Sequence, residues 1–218
     1  MTPSVWTALV ATLLSAGADR PPSVEDKETY FGGVTAPAVL PAGSTSAYVS
    51  LGLTEVLGGF RQGFGIAELE LRGRADWRAV SLALEALVKI SALEQGRWEV
   101  APFAGVGLAL NSGARYLDAA NIPYLAIRAL GGLTTTYRAA DTLYIVGQLE
   151  MTLDIGTSPA GVARFTPLAG GGIELYLTDA LSFSAIGLLG VDVLRPEPAE
   201  TLLRLGYGLR IGLGFRLF

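Results

Sequence analysis

The chain has 218 residues, half of them hydrophobic, with 28 glycines, a net charge of −4 and neither cysteine nor histidine. The missing thiols exclude a disulfide scaffold and a thiolate metal centre. The missing imidazoles exclude histidine acid–base chemistry and the commonest zinc sites, and the acidic balance speaks against a nucleic-acid partner.

Mean hydropathy is high, at +0.44, yet no run reaches the ~18 apolar residues that a membrane helix needs. At the N-terminus an apolar stretch from Val5 to Leu14 precedes Ala16-Gly17-Ala18. That pattern predicts a secretory signal peptide over 1–18. A polar linker is expected over 19–27, and a barrel domain over 28–218.

From about residue 45 the apolar period is 2, which is the mark of a strand with two different faces. Residues 45–55 set Ala47, Val49, Leu51 and Leu53 against Ser46, Tyr48, Ser50 and Gly52. Residues 65–72 set Leu69 and Leu71 against Glu68, Glu70 and Arg72. Residues 83–95 contain good helix formers, but over 78–90 Val80, Leu82, Leu84, Val88 and Ile90 alternate with Ser81, Glu85 and Lys89, so a strand is expected. Only Leu87 breaks its polar face.

Further strands follow over 97–110, 122–137, 141–154, 162–177, 180–194 and 202–218. Their non-apolar faces carry Glu99, Arg128, Glu150, Asp154, Arg164, Glu174, Asp192, Arg204, Arg210 and Arg216 among glycines and small polar residues. Turn chemistry separates the segments: GRAD at 73–76, LEQG at 93–96, RAAD at 138–141, GTSPAG at 156–161, TDA at 178–180 and RPEPAE at 195–200.

A soluble sandwich would show a densely charged outer face. Here the second face holds small residues with scattered charges of both signs, which suits a crowded hydrated interior. The unbroken Leu/Ile/Val face suits lipid. Many strands match or exceed the ~9–11 residues that cross a bilayer, and in hydrocarbon strands span only as a closed barrel. The expected fold is all-β: a closed antiparallel up-and-down transmembrane barrel of ten strands, with eight as the alternative. Nine strands are evident. The tenth is sought at 28–40, which makes 45–55 run toward the rim that carries the chain ends.

The final segment, Arg210-x-Gly212-x-x-Phe215-x-Leu217 followed by Phe218, resembles the C-terminal assembly signal of small bacterial outer-membrane β-barrel proteins, the OmpA-like and OmpX-like barrels. LTDALSF (177–183) resembles their tight periplasmic turns. The resemblance implies an outer-membrane location, with membrane lipid, the barrel assembly machinery and other envelope proteins as partners. It implies no cofactor. Barrel enzymes of that superfamily rely on a histidine, so the chain is expected not to be an enzyme, although Glu68 and Glu70 share a face. The charges at 68, 70, 72, 85, 89, 128, 150, 164, 174, 192, 204 and 210 are expected to pair across a narrow lumen as a plug. Arg115, Tyr116, Leu117 and Asp118 in the long 111–123 segment form the candidate interaction loop. The function expected is a structural or partner-binding envelope barrel. The alternatives are a narrow pore for ions or small solutes and a soluble lipid-binding barrel.

Overall fold

A computed structural model describes residues 33–195 and 200–218. The signal-peptide and linker expectations, 1–18 and 19–27, lie outside the described residues. Strands follow one another along the chain: β1 (Thr45–Gly52), β2 (Glu55–Gly63), β3 (Ala67–Asp76), β4 (Ser81–Ile90), a short β5 (Leu93–Gln95), β6 (Trp98–Ser112), β7 (Pro123–Arg138), β8 (Leu143–Ser158), β9 (Ala160–Tyr176), β10 (Leu181–Arg195) and β11 (Leu202–Arg216).

Each long strand pairs antiparallel with the next, and β4 pairs with β6 past the short β5 hairpin arm. The ring closes where β1 meets β11, with Ala47 opposite Phe215 and Leu51 opposite Ile211. At the seam the Thr45 amide also donates to the Phe218 carbonyl, and the Leu217 amide to the Thr45 carbonyl. The ten long strands therefore leave no open edge, as backbone groups facing hydrocarbon require.

The count of ten agrees with expectation, but its membership is corrected. Residues 33–40 form no strand. The tenth strand is β2, whose sequence EVLGGFRQG contains a glycine pair that weakens the alternation. β1 consequently runs away from the rim at which β11 ends, opposite to the expected direction. That rim, holding Thr45 and Arg216, is the near rim; the other is the far rim. GRAD is also corrected. It lies inside β3, where Arg74 pairs with Leu57 of β2 and Ala83 of β4.

Residues 81–90 are a strand, despite their helix formers, because their alternate apolar side chains all have an outer surface to cover. Leu82, Leu84, Val88 and Ile90 point outward. On β11 the same alternation leaves Leu203 and Leu205 72% and 69% exposed, while Arg210 turns inward and is buried. The outward face is apolar all round the barrel. This is the reverse of a soluble lipid-binding barrel, whose apolar face lines the cavity. Leu87, the lone large apolar residue on its strand's inner face, packs inside against Phe103 and Leu130.

Candidate functional site in the barrel lumen

Inward-facing side chains from neighbouring strands meet at the register the ladders impose, and they sort into three layers. Nearest the near rim, β2 and β3 place Arg61 beside Glu68. Arg61 Nε and Nη2 donate to the two carboxylate oxygens of Glu68, each at 2.8 Å, and both side chains are fully buried. Lys89 of β4 reaches Glu68 at 3.0 Å and Glu70 at 2.7 Å. The Tyr48 hydroxyl donates to Glu70.

Residues 33–40 enter this layer as a plug whose backbone bends at 34–35 and 37–39. Glu174 of β9 accepts the amides of Val34, Thr35 and Ala36 at 2.6, 2.9 and 2.8 Å, together with the Ser182 hydroxyl at 2.7 Å. Glu99 of β6 accepts the Ala38 amide, and Glu68 the Leu40 amide. In the other direction, Arg61 donates to the carbonyls of Gly33 and Pro37, and the Tyr176 hydroxyl donates to that of Ala36.

The middle layer is a belt of charges. Glu150 of β8 sits 2.5 Å from Arg74, 3.5 Å from Arg72 and 3.7 Å from Arg210. Glu85 pairs with Arg72 and lies 2.8 Å from Arg128. Glu55, at the start of β2, holds Arg210 at 2.6 Å and Arg74 at 3.2 Å. Because every carboxylate of this belt faces two or more guanidinium groups, the desolvation cost of burying these ions is offset by multiple short contacts rather than by single pairs.

Toward the far rim, Arg128 chelates Asp154 at 2.6 and 2.8 Å, and Arg164 holds Asp192 at 2.7 Å. The loop over 113–122 folds onto this end. Asp118 takes Arg204 at 2.5 Å and lies 3.7 Å from Arg78. The Asn121 side chain donates to the carbonyls of Ala79 and Ala114 and accepts from Asn111. Arg115 donates to the Asn121 carbonyl, while Tyr116 and Leu117 stay exposed.

Cavities lie on both sides of the belt. One, of about 30 Å³, lies between the plug and the belt and is lined by Val34, Tyr48, Glu70, Arg72 and Arg210. It has room for about one water, and Arg72 Nη2 has no protein partner there. The other, of about 70 Å³, lies beyond the belt among Glu55, Arg74, Arg128, Asp154 and Arg164.

All twelve charges singled out in the sequence face the lumen. Further members of the network carry no clear sequence signal. Glu55 and Arg61 lie on β2, whose alternation is weak, and Arg74 lies in GRAD, which has the composition of a turn. Asp118, the partner of Arg204, is a loop residue with no periodicity to follow. In the assembly-signal segment, Gly212 has a packing role of its own. A Cβ there would lie 2.5 Å from the Ser50 hydroxyl oxygen and 2.7 Å from that of Ser184. Phe215 and Leu217 point outward.

These features define a class: a closed ten-stranded antiparallel barrel with an apolar exterior and a charged, filled lumen. No protein-family model matches the chain, and no curated protein matches its sequence. The resemblance to OmpA-like and OmpX-like barrels, which have eight strands, therefore stays at the level of the barrel class. Among solved structures the chain is similar to the outer membrane protease OmpT from Escherichia coli, at 9% identity and a TM-score of 0.36, with 80% of this chain and 93% of that one covered. A likeness that distant carries neither site nor activity across. It does correct one expectation: a matched barrel is a protease, so exclusion of enzymatic activity does not stand.

Proposed function

We propose that the chain is an integral outer-membrane barrel whose lumen is closed, and that it serves the envelope as a rigid anchor presenting its rims to partners. The observation that carries this reading is the filling of the lumen. Plug, charge belt and far-rim loop lie in series, with cavities of about 30 and 70 Å³ between them. Lipid would contact the Leu/Ile/Val exterior. Aromatic side chains near both rims support that placement: Phe60, Phe64 and Phe215 at the near rim, Trp77 and Tyr116 at the far rim.

In this reading the near rim faces the periplasm, because the long 113–122 loop lies at the far rim. The barrel assembly machinery would read Arg210, Gly212, Phe215 and Leu217. The exposed pair Tyr116 and Leu117, on a loop pinned by Asp118 and Asn121, offers a preformed surface to another envelope protein.

Single-channel recording in a planar bilayer tests the reading. A closed lumen gives no steady conductance step from the purified wild-type barrel. Regular steps would overturn it in favour of a narrow ion pore.

A further inference from the structure

The near end of the lumen is built differently from everything else in the barrel. Elsewhere in the lumen carboxylates meet guanidinium groups. At the near end three carboxylates from three separate strands, Glu174, Glu99 and Glu68, are aimed at main-chain amides of one bent segment, and Glu174 gathers three consecutive ones. Arg61 and Tyr176 are aimed at its carbonyls. This is recognition of a peptide backbone in both polarities, carried by charge-assisted hydrogen bonds.

The side chains of the segment are read by size. A Cβ on Gly33 would fall 2.1 Å from Glu174 Oε1 and 2.3 Å from the Ala36 carbonyl. Ala36 and Ala38 are enclosed with no exposed surface to grow into, and Leu40 is fully buried. Ala36 sits in a cluster with Tyr144, Tyr176 and Leu188, and Val34 packs against Tyr48 and Leu57.

We propose that the near end of the lumen is a peptide-binding seat, and that residues 33–41 are its releasable, built-in ligand. The seat takes a bent, uncharged segment with glycine at its first position, alanine at the fourth and sixth, and leucine at the eighth. Its charged groups contact only backbone atoms of the segment, so a peptide of that pattern supplied in trans makes the same contacts. The connection to β1 is suited to exchange. Ala42 and Gly43 are exposed, and Gly43 turns the chain with φ 79° and open space where a Cβ would lie.

The test uses the full chain folded in detergent, with a protease recognition sequence inserted between Ala42 and Gly43. After cleavage the N-terminal fragment is expected to co-purify with the barrel. An excess of synthetic peptide GVTAPAVLP (residues 33–41) should displace it, and the same peptide carrying Gly33→Val should not. A Glu174→Gln barrel should hold the fragment about tenfold more weakly, as expected for loss of a charge-assisted acceptor. A second preparation lacking residues 33–41 should bind the labelled peptide saturably.

Loss of the fragment at once on cleavage would overturn the proposal. So would equal displacement by the Gly33→Val peptide, or a fragment that excess peptide never displaces. Electrophoretic mobility of the same samples reports whether the barrel is folded. A conducting wild type would overturn the closed-lumen reading without touching the peptide result.

Discussion

The two halves of the lumen are closed by different chemistry. In the far half, side chain meets side chain: Glu150 among three arginines, Arg128 on Asp154, Arg164 on Asp192, Arg204 on Asp118. In the near half, beside the Arg61–Glu68 and Lys89–Glu70 pairs, the barrel wall meets the main chain of residues 33–40. A salt-bridge layer tolerates no loss of one sign, because the partners left behind stay buried and charged. A layer of carboxylate-to-amide bonds tolerates loss of charge better, because the orphaned groups are neutral. The first arrangement favours rigidity and the second favours exchange.

Glu150→Ala should have the largest effect of any single change. It takes one carboxylate partner from each of Arg72, Arg74 and Arg210 and leaves three buried guanidinium groups to share Glu55 and Glu85, at a cost of about 3–5 kcal/mol. Urea unfolding followed by tryptophan fluorescence in detergent would show the midpoint fall. An unchanged midpoint would dissolve the contrast between the halves.

A control common to both halves comes next. Leu209 sits mid-strand on the exterior of β11, 47% exposed. Leu209→Arg should cost about 2–4 kcal/mol in lipid bilayers and far less if the exterior meets water.

Glu174→Gln removes the charge that gathers three plug amides. Its expected cost is about 1.5–3 kcal/mol, smaller than that of Glu150→Ala in the same assay. A reversed ranking would mean that the near half is the more rigid one.

The smallest effect concerns the rims. Near-rim turns give their left-handed positions to Gly43, Gly65 and Gly96, whereas the far-rim turn between β3 and β4 holds Val80 at φ 47°. A β-branched residue is strained there. Val80→Gly should therefore be neutral or stabilising by about 1 kcal/mol, within the usual strain of such positions, and a thermal melt would register it.

What is legible in the sequence follows from period 2. The long strands β6–β11, apart from the short β5 before them, have 15 to 17 residues. They announce themselves because lipid-facing and lumen-facing residues differ so sharply in type. The inward charges, from Glu68 to Arg210, are legible for the same reason. β2 is not. Leu57 points inward and Gly58 and Gly59 interrupt the pattern, so the strand that holds Arg61 has the look of a connection.

The plug is illegible for a deeper reason. Its contacts are made by backbone amides, and every residue but proline carries the same amide. Nothing in the residue types of 33–40 points to Glu174, which lies 140 residues from Val34. The apolar character of the segment suggests a strand, but its backbone bends at 34–35 and 37–39 and its partners are side chains inside the barrel rather than a neighbouring strand.

A barrel with lipid outside and a closed, charged interior is tested most directly by electrophoretic mobility of the detergent-purified protein, heated against unheated in SDS. The expected result is a compact, SDS-resistant species that shifts to the unfolded position only after heating, from a protein that is insoluble without detergent. One mobility before and after heating, from a protein soluble in plain buffer, would contradict it.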